Sequence, residues 1–320
     1  MSQSVFLTGA TGFVGSAVMR RLVADGFSVT AAVRNEADLV AHGVRIAHFD
    51  SFETADWGEQ LWGVDSVVHC AARVHVMNDT ESDPLAAFRK VNVEGTLHLA
   101  RQAAEAGVRR FVFISSIKVN GEGTQPGKAY TADDLPDPRD PYGVSKMEAE
   151  QRLRELANHT AMDVVIIRPV LVYGPGVKAN FLNMMRWLDK GIPLPFGAIH
   201  NARSLVALDN LVDLIITSLV HPHAANQIFL VSDGEDLSTT QLLCRMGRAL
   251  GKSARLIPFP SWMLSSAANL LGKRALSQRL CGSLAVDIGK TRSLLQWTPP
   301  VSVDSALAVV AKHYMDHKKR

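Results

Sequence analysis

Cysteine is scarce in this 320-residue chain. The three present, Cys70, Cys244 and Cys281, are odd in number and have no CxxC spacing. That argues against a disulfide framework and fits reduced thiols in a core. No His, Cys, Asp and Glu cluster has metal-ligand spacing, so no metal is expected. A surplus of one charge is also missing. Lys and Arg number 34 and Asp and Glu 31, a net +3, which gives no reason to expect nucleic acid as a partner. No apolar run approaches the roughly 20 residues of a membrane span: Val164–Ile167 stops at Arg168, and Leu211–Val220 contains Asp213. A basic-then-apolar leader is lacking at the N-terminus, so the expected compartment is the cytoplasm. Repeats and low-complexity segments are absent. What remains is a globular composition, 47% hydrophobic and 20% charged, enough for a large domain and a smaller one.

The first half of the chain alternates two periodicities. Short β-branched or aromatic runs at Val5–Thr8, Val29–Val33, Arg45–Phe49, Ser66–Cys70, Phe111–Ser115 and Val164–Arg168 read as strands. Between them Val14–Ala24, Pro84–Ala106 and Tyr142–His159 read as helices. This alternation predicts βαβ units and an α/β fold with a doubly wound parallel sheet. Residues 1–172 are expected to form it, with the chain returning around 203–220. Residues 173–320, broken by Pro193, Pro195, Pro258, Pro260, Pro299 and Pro300, should form mainly a smaller substrate-binding region. The amphipathic stretch Trp262–Leu271 either covers core or docks on a membrane or partner. Lys318–Arg320 is a basic tail.

Gly9, Gly12 and Gly15 lie between the first strand and the first helix. In that context they allow a tight turn and close backbone approach to a pyrophosphate, with the helix N-terminus stabilising its charge. Thr11, Phe13 and Val14 belong to the same loop, and Asp50 could accept from an adenine. A dinucleotide with a free ribose 2′-hydroxyl is usually held by an acid at the end of the second strand. Here that stretch is Ala32-Val33-Arg34-Asn35, with no acid before Glu36. Arg34 could instead fork onto a 2′-phosphate, so NADP(H) is expected over NAD(H), which stays possible.

Tyr142 and Lys146, at spacing i, i+4, share one helix face. A free phenol ionises near pH 10, and the expectation is that Lys146 and an oxidised nicotinamide lower that value. Tyr142 could then exchange a proton with a carbinol or carbonyl oxygen while hydride moves. Ser116, ending the strand that begins at Phe111, would hydrogen-bond the same oxygen.

Together these residues carry a resemblance. Thr8-Gly-Ala-Thr-Gly-Phe-Val-Gly15, His69-Cys-Ala-Ala72, Asn92-Val-Glu-Gly-Thr96, Ser115-Ser116, Tyr142-x-x-x-Lys146 and Arg168–Pro175 are similar to the extended short-chain dehydrogenases/reductases of the nucleotide-sugar epimerase/dehydratase group. The resemblance covers essentially the whole chain. It implies a Rossmann domain, Ser116, Tyr142 and Lys146 as catalytic residues, and a UDP-sugar in the cleft. It also implies cofactor contacts at Ala71 and Pro169, and a homodimer through the two long helices. Asn92 and His69 would be structural, and His75 a lone histidine that could face the sugar. On the substrate side, Asn180 and Phe181 would meet the diphosphate, and Leu194 and Phe196 would flank the uracil. Arg203, with Arg279 as a second candidate, would hold a phosphate. Lys118 would either touch the substrate or stand solvated. Leu171 replaces an Asn common among relatives.

Departures from the family pattern bear on the reaction. Sugar 4,6-dehydratases of the group carry Thr-Asp-Glu where this chain has Ser116-Ile117-Lys118. Ile117 moves no proton and Lys118 has the wrong charge, so dehydration is not expected. The resemblance of Ser115–Glu122, Arg168–Phe181 and Leu284–Pro300 to certain surface-polysaccharide enzymes makes one activity the leading expectation. It is NADPH-dependent reduction of a UDP-4-keto-6-deoxy-N-acetylhexosamine in O-antigen precursor synthesis. A UDP-hexose or UDP-N-acetylhexosamine 4-epimerase is the alternative, and a hydroxysteroid- or flavonoid-type reductase a further one.

Overall fold

A computed structural model describes residues 3–34, 43–74, 83–270, 278 and 280–318. Seven strands form the central sheet: β1 (Ser4–Thr8), β2 (Ser28–Val33), β3 (Val44–His48), β4 (Ser66–His69), β5 (Arg110–Ile114), β6 (Asp163–Pro169) and, late in the chain, β9 (Ile228–Val231). Their order is β3-β2-β1-β4-β5-β6-β9, and every pairing is parallel. Val67-Val68, Phe111–Phe113 and Val164–Ile167 are fully buried, as expected where helices cover both faces of a parallel sheet. Strand order reverses between β1 and β4, which opens a crevice beyond their C-terminal ends.

The pleat sends alternate side chains to opposite faces. Val5 and Leu7 of β1 join one core with Val18 and Leu22 of α1 (Phe13–Ala24) and Leu211 and Ile215 of α7 (Leu208–Val220). Phe6 joins a second core, beside Leu61 at the end of α2 (Gly58–Leu61), Leu99 of α4 (Thr96–Glu105) and Leu153 of α5 (Pro141–Asn158). The helix expected over Pro84–Ala106 is not uniform. It comprises α3 (Pro84–Arg89), a π-helical turn over Lys90–Gly95, and α4. The wide turn buries Asn92, Val93 and Gly95 together. At Gly95 a Cβ would stand 2.7 Å from Cβ of Phe52.

The smaller region is built on a three-stranded sheet in the order β10 (Asp236–Leu237), β8 (Arg203–Ala207), β7 (Leu171–Tyr173). A third core links it to α6 (Ala179–Asp189), α8 (Thr239–Ala249) and, after α9 (Ser261–Leu270) and α10 (Gly289–Leu295), to α11 (Val303–Lys318). Over the expected return at 203–220 the chain serves both sheets. β8 belongs to the small sheet, whereas α7 covers the large one and β9 forms its edge. The segment after Gly289 then closes over that edge. Thr291 Oγ1 donates to the Leu230 carbonyl at 2.7 Å, and Trp297 Nε1 to Asp213 at 2.9 Å. Among the described residues no helix is long and apolar enough to cross a membrane, and no His/Cys/Asp/Glu group could hold a metal ion.

Candidate active site

The glycine loop sits at the strand-order reversal. Gly9 has φ +71°, and a Cβ there would lie 2.8 Å from the Ala71 nitrogen, so the backbones leaving β1 and β4 nearly touch. Gly15 is tighter still: its Cβ would fall 2.1 Å from the Gly9 carbonyl oxygen. Only glycine lets α1 start so close to β1. Gly12 caps α1 without a side-chain hydrogen bond, so the first-turn N–H groups of Phe13, Val14 and Gly15 have no helical acceptor. Such donors suit a pyrophosphate, and the loop therefore fits a dinucleotide. Thr11 is exposed in the same turn and Ala71 half-buried across from it. Arg34 follows β2 and Asp50 lies two residues past β3, both exposed, while Pro169 ends β6 buried. His69 is locked beneath the loop, its ring nitrogens 2.8 Å from the Thr8 hydroxyl and 2.9 Å from that of Thr96. Burial and the nearby Lys146 charge push its pKa down to about 3, so it is a neutral structural residue. His75 and Glu36 lie outside the described residues.

Ser116, Tyr142 and Lys146 come together next to this crevice. Asp140 starts α5 by accepting the Gly143 N–H at 2.7 Å, with Pro141 in the first turn. The cap fixes the position of Tyr142. The Ser116 side chain acts on its hydroxyl, and its ring meets Phe88 edge-on at 6.0 Å. One turn on, Lys146 is 1% exposed, donates to the Ile114 carbonyl at 2.8 Å and sits 4.3 Å from the Phe113 ring centre. Burial lowers its pKa to about 8. The expectation that Lys146 depresses the phenol is not met in the protein alone. Burial and the Asp140 carboxylate push Tyr142 up to about 12, against the Ser116 hydrogen bond. The phenol is therefore protonated at neutral pH. Below it, Asn92 binds both the N–H and the carbonyl of Arg73 (2.8 and 3.0 Å) and donates to Ser145 at 3.0 Å. The π turn thus holds the loop after β4 against the helix that carries Tyr142.

The model of the NAD dependent epimerase/dehydratase family matches residues 5–232. The chain belongs to that family. It is 47% identical over 322 residues to a UDP-glucose 4-epimerase of Vibrio cholerae, covering all of this chain and 98% of the relative. It is 27% identical to the N-acetyl-alpha-D-glucosaminyl-diphospho-ditrans,octacis-undecaprenol 4-epimerase of Escherichia coli O157:H7, covering 100% and 98%. Among solved structures, UDP-glucuronic acid 4-epimerase from Bacillus cereus in complex with NAD superposes with TM-score 0.79 at 20% identity, over 98% of this chain and 99% of that one.

Within this family member the substrate-side expectations divide. Bridges Thr124–Ser283, Tyr130–Val286 and Arg203–Leu284 bring the loop after Ser116, strand β8 and the 283–286 segment together. Arg203 is half-buried and donates to the Gly282 carbonyl at 3.1 Å. Asn180 is exposed in the first turn of α6. Phe181 is buried and stacks on Tyr173 at 5.3 Å, and Leu194 is buried in the same core. Phe196 is half-buried against that core. Lys118 is not a solvated loop lysine: it pairs with Glu122 at 2.9 Å and with Asp140, which links the loop to the cap of α5. Leu171 is exposed. Arg279 lies outside the described residues.

Sequence reasoning missed the support beneath the site. Arg168 and Glu150, 2% and 3% exposed, are paired at 2.6 Å. Glu150 also accepts from Ser115, and Arg168 donates to Asn120 at 2.9 Å. The pair ties α5, one turn past Lys146, to β6 and to the strand end that carries Ser116. A signal was present: Arg168 ends an otherwise apolar strand, and Glu150 repeats the i, i+4 face of Tyr142 and Lys146.

Proposed function

We propose that the chain inverts C4 of a UDP-linked hexose or N-acetylhexosamine, a UDP-sugar 4-epimerase. The observation that carries this is the placement of Tyr142 and Lys146 at the start of α5 against the strand end that carries Ser116, beside the dinucleotide crevice. The 47% likeness to a UDP-glucose 4-epimerase supports the sugar and the outcome. A nicotinamide dinucleotide held on the Gly9–Gly15 loop would supply hydride acceptance and return. Tyr142 is protonated in the protein alone. It would first release that proton under the charge of an oxidised nicotinamide, then as phenolate take the proton from the C4 hydroxyl on oxidation and return it on reduction, with Ser116 orienting the same oxygen. Inversion requires the ketone to present its other face before reduction, so the site must retain both groups. Asn180, Phe196, Arg203 and Arg279 are the proposed substrate contacts. Phe181 and Leu194 would contribute through backbone, and Lys118 through its hold on Asp140. Cys70 and Cys244 are thiols outside any disulfide, which fits the cytoplasm, and a homodimer through the α3–α4 and α5 faces completes the proposal.

A second reading rests on Arg34, exposed directly after β2 where an acid would favour NAD(H). It favours NADP(H) and reduction of a UDP-4-keto-6-deoxy-N-acetylhexosamine. Incubation with UDP-glucose and UDP-N-acetylglucosamine without added cofactor, followed by NMR of the anomeric protons, separates the two. Appearance of the C4 epimer is expected. No epimer, together with NADPH consumption on the 4-keto sugar, would establish the reductase instead.

A further inference from the structure

Helix α9 turns an apolar arc away from the protein. At about 100° per residue, Trp262, Ser266, Leu270 and Met263 fall within about 100° of arc. All four are exposed, Trp262 at 69% and Leu270 at 89%. The segment leading into the helix adds Ile257 and Phe259, also exposed. An amphipathic helix on a globular protein normally turns such a stripe to the core; contiguous apolar surface left in water marks an interaction site.

Charge indicates what covers it. Every charged residue between Asp236 and Asp287 is Lys or Arg. Arg248, Lys252 and Arg255 are exposed on the chain leading to the apolar arc, whereas Arg245 is taken up by Glu235. Asp189, on which Lys252 acts, is almost fully buried and pairs with Lys318. An apolar protein groove would match the stripe alone. An anionic lipid surface matches both features: Trp and Phe settle at the headgroup level, and Lys and Arg meet the negative surface potential. We propose that α9 and the 248–259 segment dock this enzyme on an anionic membrane surface. Docking would carry the substrate-side loop with it, because Leu194 N–H donates to the Arg255 carbonyl and Gly197 N–H to that of Ile257, each at 2.9 Å.

The full-length protein is to be sedimented with phosphatidylcholine vesicles and with phosphatidylcholine vesicles carrying phosphatidylglycerol. Binding about tenfold or more tighter to the anionic vesicles, and weakened by salt, is expected. Trp262→Ser/Leu270→Ser should abolish binding without lowering the melting temperature, and Lys252→Glu/Arg255→Glu should remove the preference for anionic lipid. Equal or no sedimentation with both vesicles overturns the proposal, as does wild-type binding by both variants. Dissociation of a dimer by the serine variant, with no vesicle binding by the wild type, would assign the arc to a second copy of the chain and likewise overturn it.

Discussion

Tyr142 is held in a state that its sequence neighbours do not suggest. Spacing places Lys146 on its helix face, yet the ammonium turns to the Ile114 carbonyl and the Phe113 ring, while Asp140 and burial keep the phenol protonated. Removing its hydroxyl should leave the fold intact, because the ring contact with Phe88 remains. Tyr142→Phe is expected to lower turnover by about 10²–10⁴-fold with an unchanged melting temperature, read by steady-state assay beside a thermal melt. A variant that keeps more than a tenth of the activity would remove Tyr142 from the chemistry. At this scale the sequence was legible in local placement, with Tyr142 and Lys146 one turn apart on α5 and Ser116 just past β5. It was not legible where a side chain has two plausible destinations. Phe181 reads in the sequence as a wall for a ligand or as core, and its stacking on Tyr173 depends on a contact that spacing does not report.

Secondary structure followed the sequence closely in the Rossmann half, because β-branched runs and the glycine loop impose strong local constraints. It followed less well where packing acts over distance. The π turn at Lys90–Gly95 depends on Phe52 and Arg73, which periodicity within the helix cannot report. The edge strand Ile228–Val231 comes after the small region has begun, so its place in the large sheet is a matter of topology. The start of α1 offers the clearest test at this scale. Gly15→Ala must push the helix off the Gly9 carbonyl, since the added Cβ would lie 2.1 Å from it. Loss of bound nucleotide is expected, with destabilisation of about 1–3 kcal/mol from overpacking. Nucleotide released on denaturation and a urea titration measure the two effects. Retention of nucleotide by the variant would mean that the loop accommodates a side chain.

Across the whole molecule, two cores sandwich the parallel sheet and a third lies under the small sheet. One buried group makes the stability depend on acid. An unfolded histidine binds its proton near pH 6.5, whereas folded His69 binds one only near 3. Between those values the unfolded chain holds more protons, so stability falls as pH falls. From pH 7 to pH 5 this amounts to about 2 kcal/mol from His69. His69→Gln should be less stable at pH 7 but lose about that much less on acidification, by urea unfolding at the two pH values. An unchanged pH slope would show that other groups set the acid limit. Whether hydride leaves and returns to C4 within one site served by Tyr142 is read with UDP-glucose deuterated at C4. A C4-inverted product that retains the deuterium by mass spectrometry is expected. Deuterium lost to solvent or to added free cofactor, or no inversion at all, would contradict it.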